Sequence, residues 1–302
     1  MDEFRNKGGK KAASVAIVAN CLLTILNISV GILSGSYALI SEGAHTLSDV
    51  ATTVIAYIGF RIGQKPADEE HTLGHGRAEA ISGLIIVLFL AMVAYEIMSG
   101  AIVKLINPSL ITTPDVYAAL MAIFGIFINL IISNYIIKIG EEIKSPAIVA
   151  DGKHQKTDIF SSIAVLFGVI VSNMGYPQLD PIVGLIIGFL ILKTAYEIGK
   201  ENLDNIMGKV PSEEFIDQIK KVANNSSPYA KNAHNIKVDY LGSYATVSLH
   251  VQLDGKMTLD ESHKIVHDVQ DNVIRQIPEV KYVMVHACPI GLEYNHDQEI
   301  DK

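Results

Sequence analysis

The sequence has no tryptophan and only two cysteines in 302 residues, and charged residues make up just 19% of it. Each shortage excludes something. Cys21, inside an apolar run, and Cys288, near the end, cannot build a disulfide framework, so nothing points to an oxidising compartment. With 24 Lys and Arg against 32 Asp and Glu, a formal net charge of −8, the chain lacks the basic clusters that bind phosphate backbones, and nucleic acid is not an expected partner. An ordinary soluble protein carries about 25% charged residues. At 19% charged and 49% hydrophobic, this chain is too apolar for a purely soluble enzyme.

What is present is unevenly spread. Long apolar runs occupy 12–200, whereas 209–302 is mixed and polar. A bilayer core of about 30 Å needs roughly 20 mostly apolar residues per helix. Six segments approach that length: 12–34, 37–60, 80–104, 113–137, 147–173 and 179–200. Turn-forming or charged stretches separate them: Ser34, Gly35 and Ser36, then 61–77, Asn107 and Pro108 with Pro114, Ser145 and Pro146, and Gly175 with Pro177. The polar tail 1–11 precedes an apolar run without a small-residue cleavage site, which reads as a retained first helix.

Basic residues set the expected orientation, because Lys and Arg accumulate on the cytoplasmic side. Arg5, Lys7, Lys10 and Lys11, then Arg61, Lys65 and Arg77, then Lys138 and Lys144 fall in the tail and in alternate loops. The opposite loops carry only Lys104, which predicts that both termini face the cytoplasm. The predicted domains are a six-helix transmembrane part, 1–208, and a cytoplasmic part, 209–292, with a disordered tail over 293–302. In the second part, a capped helix over 212–224 and alternating stretches at 234–240 and 245–253 precede a helix over 259–276 and a strand over 282–287. That order, αββαβ, predicts a small α+β sandwich on an α-helical membrane protein.

The ten histidines are the most informative residues. The second apolar segment contains Ser-Glu-Gly-Ala-His-Thr-Leu-Ser-Asp, which puts His45 and Asp49 on one helix face. The fifth contains Asp-Gly-Lys-His-Gln-Lys-Thr-Asp, with His154 and Asp158 at the same spacing. At about 1.5 Å per residue, His45 lies about 12 Å in from Tyr37 and His154 a similar depth from the other face. Ionisable groups near mid-bilayer cost several kcal/mol unless paired or hydrated, which makes them functional candidates. Each pair alone could be a hydrogen bond between packed helices. Two matched pairs, two imidazoles and two carboxylates, form a plausible tetrahedral site for an ion such as Zn²⁺.

These residues resemble those of the cation diffusion facilitator family, proton-coupled exporters of zinc and related metals. The motif around His45, the stretch from Pro66 to Glu79, the His154 helix, Leu179-Asp-Pro-Ile-Val-Gly184 and the cytoplasmic part all carry the resemblance. It implies a homodimer with six membrane helices and a metallochaperone-like C-terminal domain. It also implies a transport site of His45, Asp49, His154 and Asp158, with protons as the exchanged ion. Many bacterial members have Asp at His45, and the softer imidazole favours Zn²⁺, Co²⁺ or Cd²⁺ over Mn²⁺.

The resemblance further implies an accessory loop site at Asp68, His71 and His75, and a cytoplasmic zinc site at His234, His250, His263, His286 and Cys288, structural or regulatory in role. His286 and Cys288, two apart on a strand, share a face. His267 and His296 match no role. Arg77 resembles a basic residue that pairs with an acid near the end of helix six across the dimer. Met207 stands where that acid is expected, and Asp204, one turn earlier, is the nearest substitute. The expected function is therefore proton-coupled Zn²⁺ efflux, through a cell membrane, by a non-enzymatic antiporter. An Fe²⁺ or Mn²⁺ exporter is the nearest rival. A membrane zinc hydrolase, for which no His-Glu-x-x-His is present, and a metal sensor that moves nothing are more distant ones.

Overall fold

The computed structural model describes residues 2–142, 146–241 and 244–290, with the side chains of 2–13, 146–148, 150, 151 and 154 outside that description. The predicted tail over 293–302 also lies outside it. Eight α-helices and three strands run in the order α1(Asp2–Ser34), α2(Tyr37–Gly63), α3(Ala78–Ile106), α4(Val116–Glu142), α5(Pro146–Asn173), α6(Leu179–Ile206), α7(Glu213–Asn225), β1(Lys231–Leu241), β2(Tyr244–Leu253), α8(Leu259–Gln276) and β3(Val280–Pro289) among the described residues. The chain divides into two compact units. One comprises Met1–Tyr57 and Gly83–Gly199, the other Ile58–Ser82 and Lys200–Lys302.

The first unit is a helical bundle around Leu39, Ile86, Leu90, Val165, Val169, Ile187 and Ile191. Small residues let its helices approach closely, as is usual between membrane helices. A Cβ added at Gly43 on α2 would stand 2.6 Å from Ile28 on α1, and one at Gly184 on α6 would stand 2.8 Å from Tyr37 on α2. The tight α1–α2 turn uses Gly35 at φ +71°, a conformation costly for any residue with a Cβ. Asp180 of α6, buried, caps the N-terminus of α2: Ser36 Oγ donates to Oδ1 at 2.6 Å, and the N–H groups of Tyr37 and Ala38 donate to Oδ2.

Five described helices are long and apolar enough to cross a membrane: Ser14–Ser34, Ala78–Ile106, Val116–Glu142, Gln155–Asn173 and Leu179–Ile206. α2 matches them in length at 27 residues but is more polar, because Ser41, Glu42, His45, Ser48 and Asp49 interrupt it. α1 begins ten residues before its expected start, since the charged tail continues the helix from Asp2. α4 starts at Val116, three residues later than expected, because Pro114 cannot continue a helix and Asp115 caps it through Val116 N–H.

The second unit contains the α2–α3 loop and an αββαβ module. Ser212 accepts from Phe215 N–H to start α7, and Thr258 with Glu261 forms a capping box on α8. The sheet order is β1-β2-β3, β1 antiparallel and β3 parallel to β2, so α8 is the crossover that the parallel pair requires. Along β2, Val247, Leu249, Val251 and Leu253 turn inward onto Ile219 and Ala223 of α7 and Ile265, Val269 and Val273 of α8.

Candidate metal centres

In the first unit, α2 and α5 bring together residues 113 positions apart in the sequence. His45 Nε2 lies 4.0 Å from Asp158 Oδ1, with the two side chains 18% and 21% exposed. Asp49 and Glu42 of α2 are both within electrostatic reach of His45. Glu42, to which sequence reasoning assigned no role, is buried and accepts hydrogen bonds from Ser161 and Ser162 of α5, each at 2.8 Å. The signal was present: Glu42, His45 and Asp49 follow i, i+3, i+7 spacing on one helix face. The His154 side chain lies outside the described residues, although its backbone continues α5. A second polar link joins α1 to α5, where Gln155 Nε2 donates to Asn20 Oδ1 at 2.9 Å.

The α2–α3 loop folds on Asp68, which accepts from the N–H groups of Glu70 and His71 at 3.1 and 2.6 Å. Its carboxylate oxygens stand 3.4 Å from both His71 Nδ1 and His75 Nε2. The three donor atoms lie within 4.8 Å of one another. The His71 N–H chiefly, then the neighbouring His75 ring and the Glu70 N–H, hold the Asp68 carboxyl below the usual carboxylate range. A cavity of about 540 Å³ opens beside it, lined by Ile62, His71, His75, Arg77, Ile81 and Leu241.

Across the sheet, His234, His250 and His286 occupy one row: His234 pairs with His250 in the β1–β2 register and His250 with His286 in the β2–β3 register. Their ring centroids are 5.4 and 4.7 Å apart. The register of β1 shifts on both sides of His234, between residues with positive φ at Asn232 and Asn235, and His234 Nδ1 is 2.8 Å from the Asn232 carbonyl. Such bulges re-aim a side chain. Cys288 Sγ is 3.6 Å from His250 Nδ1, and donor atoms of His234, His250 and Cys288 lie within 4.8 Å of one another. Burial pushes the Cys288 thiol up. His286 stands beside this trio without completing it.

Within the single chain, three residues of the expected sites have other neighbours. His263 sits on α8 outside the described donor trio, and its ring is 4.5 Å from that of His267, since i and i+4 side chains stack on one helix face. Arg77 and Asp204, expected to interlock across a dimer, each have a partner in the same chain: Arg77 Nη2 is 2.8 Å from Asp239 Oδ2, and Lys209 Nζ is 2.8 Å from Asp204 Oδ2. Asp239 lies on β1, far from Arg77 in sequence, and no spacing pattern could have linked them. Beside this pair the loop touches the hairpin closely, and a Cβ at Gly76 would stand 2.1 Å from the Leu241 carbonyl oxygen.

The profile of the cation efflux transmembrane domain matches residues 13–207, and that of the cation efflux protein cytoplasmic domain matches 211–290. An uncharacterized transporter of Methanocaldococcus jannaschii is 33% identical over 92% of this chain and 97% of its own length. The manganese efflux system protein MneS of Bacillus subtilis is 30% identical over 94% of this chain and 97% of its own. The magnetosome protein MamB of Magnetospirillum gryphiswaldense is 26% identical over 91% and 92%.

Proposed function

The chain belongs to the cation diffusion facilitator family, whose members move divalent metal cations, and from that premise we propose that it exports Zn²⁺ from the cytoplasm in exchange for protons. One observation carries the reading: His45 and Asp158 meet at 4.0 Å between two helices of the bundle. With Asp49, and with His154 supplied from α5, they form a four-donor set of mixed imidazole and carboxylate that suits a tetrahedral borderline ion. α2 serves as the sixth span, with Glu42, His45 and Asp49 on the face toward this site. Imidazole ligates only when neutral, and its ordinary pKa of about 6.5 lets protons displace the metal near neutral pH. Helices rocking about a fixed midplane site would present it to each side in turn.

Both termini lie in the cytoplasm in this reading, and the plasma membrane holds the protein. The domains are 1–208 and 209–292. The cytoplasmic domain pairs two chains, and Zn²⁺ held by His234, His250 and Cys288 stabilises that homodimer, with His263 and His286 supplying ligands once the pair forms. The Asp68, His71 and His75 site collects the ion at the cytoplasmic face. The thiolate in the cytoplasmic trio supports a soft or borderline ion.

A second reading, Mn²⁺ export, draws support from the likeness to MneS. Competition between Zn²⁺ and Mn²⁺ for uptake into inside-out vesicles under a pH gradient separates the two. Zinc uptake that excess Mn²⁺ leaves intact supports the first reading, and the reverse order overturns it.

A further inference from the structure

Glu42 is a buried ionisable group that the ligand set leaves without a task. It is 3% exposed, in a helix read above as spanning the membrane, where an unneutralised carboxylate is costly. Oε1 accepts from Ser161 Oγ and Ser162 Oγ, each at 2.8 Å, while Oε2 has no hydrogen-bond partner among the described residues. If close packing were the only need, an apolar side chain would meet it at lower cost.

The two serines follow Asp158 by three and four residues, so they stack above it on one face of α5. Glu42 precedes His45 by three, on the matching face of the antiparallel α2. The helices therefore meet in two polar layers about one turn, or about 5.4 Å, apart. One layer is His45 with Asp158, the other Glu42 with the serine pair. Metal ligation tolerates distance errors of only about 0.2 Å. A slip of α2 by one residue displaces it by about 1.5 Å and turns its ligands away from α5.

We propose that Glu42 is a positioning residue whose fork to Ser161 and Ser162 fixes the axial register of α2 on α5, and with it the separation of His45 and Asp49 from Asp158. The inference rests on the metal-site reading above. Ser161 Oγ also lies 2.9 Å from the Asp158 carbonyl oxygen, and its single proton serves one acceptor at a time. Ser162 is thus the steadier donor to Glu42.

The test is KM and maximal rate for Zn²⁺ uptake by the full chain in proteoliposomes. Removal of a group that supports metal ligands costs about 10- to 100-fold in affinity. Glu42→Ala and the Ser161→Ala/Ser162→Ala double variant should each raise KM by that factor with a smaller change in maximal rate, Ser162→Ala alone exceeding Ser161→Ala. Glu42→Gln keeps an acceptor oxygen for the hydroxyls and should restore KM to within about threefold of the unmodified chain, a loss below about 1 kcal/mol. Unchanged KM in Glu42→Ala and in the serine pair, where Asp158→Ala abolishes uptake, overturns the positioning role. Glu42→Gln failing as badly as Glu42→Ala also overturns it, since charge and not the fork would then matter. A general loss of folded protein would lower maximal rate at constant KM, and the small serine substitutions guard against it. Normal uptake in Asp158→Ala defeats the underlying site reading instead.

Discussion

The proposed membrane centre and the proposed cytoplasmic cluster offer the same kinds of donor on opposite mechanical supports. His45 and Asp158 sit on separate helices and approach to 4.0 Å, held by side-chain contacts such as Glu42 with Ser162. His250 and His286 lie on strands held in register by a backbone ladder, with His234 at an irregular point of β1 and Cys288 3.6 Å from His250. Helices can move apart by shifting side-chain contacts, whereas strands separate only by breaking a ladder. The first arrangement suits an ion that must leave and the second an ion that must stay. The thiol strengthens the contrast, because thiolate binds borderline ions more tenaciously than carboxylate does.

Breaking the helical centre should have the largest effect. An Asp49→Ala/Asp158→Ala double variant should lose at least about 100-fold in zinc flux, measured by uptake into inside-out vesicles. The zinc retained by the full chain after dialysis should be unchanged, since the cluster is untouched.

Breaking the sheet cluster should invert that pattern. His250→Ala should release retained zinc while flux continues. Because burial pushes the Cys288 thiol up, the metal must displace its proton to bind. Zinc affinity of the cluster should then rise by about tenfold per pH unit while the thiol is protonated, and Cys288→Ser should flatten that slope. Competitive titration with a chromophoric chelator between pH 6 and 8 reads it.

Smaller effects belong to the loop on the β1–β2 hairpin. Gly76→Ala would place a Cβ 2.1 Å from the Leu241 carbonyl oxygen, which is backbone and cannot yield. Forced overpacking of this kind costs about 1–3 kcal/mol. It should appear as faster amide exchange in the loop. Arg77→Ala removes a partly exposed ion pair with Asp239, worth about 0–1 kcal/mol, and should shift the melting temperature little.

Much of the fold was legible because its elements announce themselves locally. Alternating β2, the Thr258 capping box and the amphipathic α8 each carry their own pattern, and α8 spans 259–276 as its periodicity predicts. Helix spacing likewise placed His45 with Asp49 on one face. What escaped depends on partners distant in sequence. Arg77 meets Asp239 where the loop lies on the hairpin, and Glu42 of α2 meets Ser162 of α5, 120 residues later in the sequence. The stacking of His263 on His267 was written in their i, i+4 spacing. α2 was the least legible span: the residues of the proposed site are among those that make it less apolar than its neighbours.

The most direct test of the division between a moving and a holding centre is a paired flux measurement on one proteoliposome preparation protocol. His250→Ala/Cys288→Ala should transport zinc at a rate within about threefold of the unmodified chain, while Asp49→Ala/Asp158→Ala should show none above empty vesicles. Flux abolished by the cluster variant, or retained by the membrane variant, would contradict the account.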